Sequence, residues 1–177
     1  MLWVKFHFSQ FPLAYAIISL IHTHIHMPSN LKNFKEEKRS ALQRSYSLPK
    51  TTKALVILFL SDDTLRDFIQ EAGKAIDVAF IEDTLENREW ADVCITDDWS
   101  LVPLEELITS VVVPIWPREW AHEKNLSEFN PMKFEGNAFL FEKNDKFQIF
   151  AALVRYLENV KYPGDKRTLL KNLAWEK

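Results

Sequence analysis

Three observations on this 177-residue chain predict an α/β domain built on a parallel sheet. Ala54 to Leu60 (ALVILFL) is an unbroken apolar run, the pattern of a strand buried on both faces. Further short apolar runs follow, each separated from the next by a segment with helical spacing of its apolar residues. Near the end, Glu135-Gly136 reads as a turn, Ala138 to Phe141 as a strand and Asn144-Asp145 as a polar break, before a long amphipathic run from Lys146 to Val160. Together these make a three-layer, Rossmann-like domain with about five parallel strands over residues 54–177.

The elements are expected in this order. Asn33 to Tyr46 reads as a charged helix stopped by Leu48-Pro49, and residues 32–53 form a basic helix and linker. The strand Ala54–Leu60 comes next. Ser61 or Asp62 caps a helix over Thr64 to Lys74, in which Leu65, Phe68, Ile69 and Ala72 share one face. Ile76 to Ile81 is a second strand, and a short helix through Leu85 to Trp90 leads to a third at Asp92 to Thr96. A helix over Leu101 to Ile108 precedes the strand Val111 to Ile115. A proline-bounded polar loop then runs to Ala138–Phe141, the helix from Lys146 follows, and Gly164 to Trp175 closes the chain as a last helix.

Bulk properties narrow the function classes. A net charge of −3 argues against a nucleic-acid partner. The basic stretch Lys32 to Lys53 and the acidic stretch Asp62 to Glu106 read as solvated surfaces. The one cysteine, Cys94, sits in the apolar run Val93-Cys94-Ile95 and reads as a small buried hydrophobe. Nothing calls for an oxidising compartment, and a cytoplasmic setting is expected. Only Gly73, Gly136 and Gly164 are glycine, so the chain has no glycine-rich phosphate cradle.

Residues 1–31 form an apolar, histidine-bearing segment. Phe11 to Ile21 with Lys5 as a positive flank is similar to a signal-peptide core, yet no small-residue cleavage site follows. The apolar stretch is about half the roughly 20 residues that a membrane span needs, so residues 6–25 are expected to dock on the domain. His22, His24 and His26 fall on one side of any strand and resemble the first metal-binding strand of amidohydrolases. That barrel needs roughly 250 residues and further histidines, and only His122 follows here. No resident metal or cofactor is expected.

In a parallel sheet ligands bind at the carboxyl ends of the strands. That places Ser61-Asp62-Asp63, Thr96-Asp97-Asp98, Trp116 to Trp120 and Glu142-Lys143 on the functional side. Asp62, Asp63, Asp97 and Lys143 in this order resemble the phosphoacceptor layout of response-regulator receivers. The fit is poor in spacing, and the strand ending Ile115-Trp116 lacks a hydroxyl residue. Capping at a positive helix terminus is the plainer role for Asp62 and Asp63.

A longer resemblance runs through residues 33–177. Ala91 to Glu105 (ADVCITDDWSLVPLE) is similar to the GT-B glycosyltransferase segment that carries two acidic residues. Val113-Pro114-Ile115, Glu128 to Pro131, Glu135 to Glu142 and Phe150 to Glu158 resemble the closing part of bacterial glycogen and starch synthases. Ser40 to Pro49 and Leu55 to Leu65 resemble the opening of that family's carboxyl-terminal, donor-side domain. The resemblance implies a truncated, diverged half of a GT-B fold and a retaining hexosyltransferase lineage. The implied ligands are ADP-glucose or UDP-glucose as donor and an α-glucan as acceptor, with a partner chain supplying the acceptor domain. Asp97 stands where the family's donor-sugar carboxylate lies, and Glu105 where a carboxylate binds the ribose. Ser100 and Leu101 occupy the turn whose amides face the donor. Arg118 is the one candidate for a phosphate-binding cation.

The departures from that pattern are equally specific. Trp116 to His122 (WPREWAH) replaces a loop that in the family contains paired glycines. The strand and loop that carry the family's phosphate-binding arginine and lysine fall between Pro49 and Ala54, where only Lys50, Thr51, Thr52 and Lys53 are present. A second expectation therefore stands beside the transferase. It is a non-catalytic module that engages a glucan or protein through Trp99, Trp116 and Trp120.

Overall fold

The computed structural model of the protein describes residues 47–98, 100, 102–142 and 145–174. The apolar segment 1–31 with His22, His24 and His26, the expected helix at Asn33–Tyr46, and Trp99, Leu101 and Lys143 lie outside the described residues.

Five strands form one parallel sheet in the order β2-β1-β3-β4-β5. In chain order the elements are β1 (Ala54–Phe59), α1 (Asp63–Lys74), β2 (Val78–Phe80), α2 (Leu85–Arg88), β3 (Val93–Thr96) and α3 (Leu104–Thr109). Then come β4 (Val113–Pro117), α4 (Arg118–Ala121), a 3₁₀ turn at His122–Lys124, β5 (Phe139–Phe141), α5 (Lys146–Val160) and α6 (Pro163–Ala174). The expected α/β class, strand count and parallel pairing are what the molecule adopts.

The apolar runs are continuous because the sheet is covered on both faces. Along β1, Ala54 and Val56 join Val93, Ile95, Val113, Ile115, Phe139 and Phe141 in the core under α1, α5 and α6. Leu55, Ile57 and Phe59 point the other way, to Cys94, Leu107 and Ala91. This period of two, with hydrophobes on both phases, is the signature of a central parallel strand. On the α5 side, Ile149, Ala152, Leu153 and Tyr156 recur at helical spacing, and Tyr156 meets Phe139 edge to face with ring centroids 5.8 Å apart.

Two boundaries differ from expectation for a shared reason. The strands expected to start at Ile76 and Val111 start at Val78 and Val113, because Asp77 and Val111 hold left-handed backbone, with φ of 65° and 60°. After α3, Val111 N–H donates to Ile108 C=O and Val112 N–H to Leu107 C=O, both at 2.9 Å. That pair is a Schellman ending with valine at the position glycine usually takes. A β-branched residue signals strand in any local reading, so only the assembled turn shows that it ends a helix.

At the other end β4 runs on to Pro117, where a polar loop was expected from Trp116. Pro114 is tolerated within this inner strand, and Pro117 ends it. Val113 N–H donates toward β3, to Asp92 C=O (3.0 Å), so the next nitrogen, that of Pro114, turns toward the β5 side. There β5 pairs only from Phe139 onward, so no ladder bond is lost. Trp116 is fully buried, which removes it from the tryptophans expected to engage a glucan or protein. The chain before β1 is a tight turn in which Thr52 donates its N–H (3.1 Å) and hydroxyl (2.7 Å) to Pro49 C=O. No strand intervenes there, and β1 pairs directly with β3 from Val56↔Val93 to Phe59↔Thr96.

Candidate functional site

Strand order reverses between β1 and β3. The chain leaves β1 for β2 on one side and returns to add β3 on the other. In open α/β sheets the crevice beyond the carboxyl ends of such a pair is the ordinary ligand position. Ser61 and Asp97 stand there, and they bind each other. Ser61 N–H donates to both Asp97 carboxylate oxygens (3.0 and 3.2 Å), and its hydroxyl donates to Oδ2 at 2.8 Å. Asp97 is 4% exposed. The carboxylate expected to contact a donor sugar thus faces inward and joins the ends of the two strands.

The neighbouring helix terminus is also filled from within. Asp62 is the N-cap of α1, its Oδ1 accepting from Thr64 N–H (2.7 Å) and Leu65 N–H (3.2 Å). Asp63 adds a negative charge in the first turn and pairs with Arg66, whose guanidinium also donates to Leu60 C=O. An anion approaching this terminus would meet two carboxylates. In the receiver-like reading Asp62 and Asp97 would share a cation; here each is engaged by backbone amides instead.

Beyond β3 the loop is held by its own side chains. Thr96 Oγ1 donates to Asp98 C=O (2.7 Å) and accepts from Asp98 N–H (3.1 Å). Asp98 Oδ1 accepts the amide and the hydroxyl of Ser100, each at 2.8 Å. These bonds from Ser100, its amide first, hold the Asp98 carboxyl below its ordinary range. The Ser100 amide, implied to face a donor phosphate, is therefore already taken. The helix begins at Leu104 with Pro103 as a cap that offers no side-chain bond. Glu105 lies exposed in its first turn, while Glu106 pairs with Arg88 at 2.6 Å.

Arg118 opens α4 directly after β4, and its ion partners lie on the β5 side. Its Nε is 2.6 Å from Glu142 and its guanidinium is 3.7 Å from Glu128. Glu128 also pairs with Arg155 Nε at 3.3 Å. Among the described residues β5 is an edge strand, and this cluster covers it. Leu140 N–H donates to Glu128 Oε2 (2.7 Å) and Leu140 C=O accepts from Arg155 (2.5 Å). An open strand edge invites pairing with another chain, and the two side chains satisfy its polar groups instead. The four charged groups line a hollow of about 250 Å³ at the carboxyl ends of β4 and β5.

A larger hollow, about 420 Å³, runs beside β2 between the Leu48–Thr52 turn and Lys74 of α1. It lies at the amino ends of β1 and β2, opposite the side where open α/β sheets bind ligands. Among the described residues no three His, Cys, Asp or Glu side chains gather as a metal site, and no helix is long and apolar enough to cross a membrane.

The candidates Asp97, Ser100, Glu105 and Arg118 therefore occupy the carboxyl side as the strand-end rule requires. They divide into a closed β1–β3 crevice, an exposed Glu105, and an Arg118 drawn to β5. Leu101 and Trp99 lie outside the described residues, and Trp120 is half-buried on α4. Sequence reasoning did not single out Glu128 and Arg155. They sit 12 residues before and 15 after Leu140, and no local spacing reveals that both reach it.

No family model and no curated protein matches the sequence. Among solved structures, the chain is similar to the catalytic domain of starch synthase IV from Arabidopsis thaliana, a structure containing ADP and acarbose. The TM-score is 0.62 at 14% identity, over 81% of this chain and 39% of that one. The chain thus spans well under half of the protein it resembles, and the likeness is one of fold: a glycosyltransferase-like, Rossmann-type half of a GT-B architecture.

Proposed function

We propose that this chain is a diverged donor-side domain of the glycogen and starch synthase kind that binds a nucleotide weakly and does not transfer glucose by itself. The observation that carries this reading is the engagement of Asp97 by Ser61 across the strand-order reversal. A buried carboxylate with both oxygens accepting hydrogen bonds is poorly placed to contact a sugar. The missing cationic segment supports the same conclusion, because the Pro49–Thr52 turn stands in its place. Stabilising a departing diphosphate is the largest electrostatic task of such a transfer, and Arg66, the cation beside the end of β1, is already engaged by Asp63 and Leu60 C=O. Glu105, exposed in the first turn of α3, remains available to accept hydroxyls of a ribose. Catalysis would require both an acceptor domain from a partner chain and a released Asp97.

The test is isothermal titration of the purified chain with ADP and with ADP-glucose, beside a glucose-transfer assay on an α-glucan. The expected dissociation constant for ADP is in the millimolar range, about −4 kcal/mol, weakening in Glu105→Ala. Transfer by the chain alone would overturn the non-catalytic part. A folded sample that binds neither nucleotide would retire the donor-domain reading in favour of the interaction module.

A further inference from the structure

We propose that the hollow between Arg118 and Arg155 is a binding site for a phosphoryl group, held closed by Glu142 acting as an internal competitor. The site lies on the β5 side of the sheet and does not depend on the donor-domain reading. Its charged members differ sharply in how firmly they are held. Glu128 accepts from Leu140 N–H at 2.7 Å and Arg155 donates to Leu140 C=O at 2.5 Å, so both are fixed to the edge of β5. Glu142 is held differently. Its backbone N–H donates to Gln148 Oε1 (3.1 Å), while its side chain, 64% exposed, rests on Arg118 at 2.6 Å. An exposed pair of this kind contributes only about 0–1 kcal/mol, so an incoming anion displaces it at little cost.

Displacement changes the character of the hollow. With Glu142 in place, two guanidinium groups face two carboxylates. With Glu142 swung out, Arg118 and Arg155 face Glu128 alone, and the site carries a net positive charge. The planar forks of two arginines suit a tetrahedral dianion, which each can grip through paired N–H donors. At about 250 Å³ the hollow is smaller than the roughly 300–1,000 Å³ of sites for drug-sized ligands. It takes one phosphoryl group, free or at the end of a larger molecule, with the remainder lying in solvent.

The experiment follows the Arg118 Nε–Hε resonance of the full chain in ¹H–¹⁵N spectra during titration with inorganic phosphate and, separately, phenyl phosphate. Glu142→Gln is expected to tighten phosphate binding about three- to fivefold, the fold-change equivalent to removing one exposed ion pair. Glu142→Gln with Arg118→Gln, followed through the Arg155 resonance, is expected to lose that gain. A stronger response to phenyl phosphate than to phosphate assigns the site to a phosphate monoester, and an equal response assigns it to the free ion. Glu142→Gln binding phosphate no more tightly than the native chain, with an unchanged thermal transition, would overturn the proposal. A gain that survives Arg118→Gln would overturn it as well. Titrations of Glu105→Ala with ADP report separately on the donor-domain reading.

Discussion

The β3 exit and the β5 exit of the same sheet use carboxylates in opposite ways. At β3, Asp97 is buried and bound by the amide and hydroxyl of Ser61, so its charge is absorbed by the fold. At β5, Glu142 is exposed and rests on Arg118, so its charge is exchangeable. Both residues directly follow a strand on the side of the sheet where ligands bind. The position in the topology is equivalent, and the difference comes from what the neighbouring strand presents. β1 delivers a free backbone N–H and a hydroxyl against Asp97. Beyond β5 no further strand stands among the described residues, and Glu142 is met there by the Arg118 side chain. A carboxylate at a strand end is chemically available only when the adjacent backbone has left it so.

Substitutions can break this contrast, beginning with the most severe. Asp97→Ala is expected to cost about 2–3 kcal/mol in denaturant unfolding, because it leaves the Ser61 amide and hydroxyl without their charged acceptor. Asp97→Asn, which keeps one acceptor oxygen, is expected to cost roughly half as much. A loss below 0.5 kcal/mol for Asp97→Ala would mean that the Asp97 carboxylate is free for ligand after all. Glu128→Ala is expected to cost about 1–2 kcal/mol and to increase self-association in sedimentation, since Leu140 N–H on the edge strand loses its partner. Unaltered sedimentation would show that Arg155 alone protects the edge. Glu142→Gln is expected to move stability by less than 0.5 kcal/mol, as befits an exposed pair.

Cys94 sharpens the same contrast through titration. Burial pushes its thiol up to about 12, and it stands fully enclosed in β3. Its thiolate is therefore scarce at pH 8, and native protein is expected to resist thiol reagents that label the unfolded chain within minutes.

Much of the fold was legible in the sequence. The apolar run of β1, the heptad-like face of α5 and the polar breaks between them require only that hydrophobes leave water at a period of two or 3.6. What failed locally were the positions where a residue serves a turn against its own propensity. Val111 reads as strand and ends a helix; Trp116 reads as a loop anchor and fills the core between β4 and α4. The site was legible as a location, because strand ends can be counted, and illegible as chemistry. Nothing in the sequence Thr-Asp-Asp-Trp-Ser says that the first aspartate turns inward to Ser61, 36 residues earlier.

The sequence by itself determined the α/β class, the strand order along the chain and the absence of a glycine-rich phosphate loop. These follow from side-chain hydrophobicity and backbone freedom, which are properties of single residues and short windows. Only the tertiary structure decided which charges are free. Whether a carboxylate or guanidinium can meet a ligand depends on hydrogen-bond partners that the chain brings from 12 to 37 residues away, as with Leu140 and Glu128 or Leu55 and Asp92. Pairing at that distance is settled by packing of the whole sheet, and no local pattern encodes it.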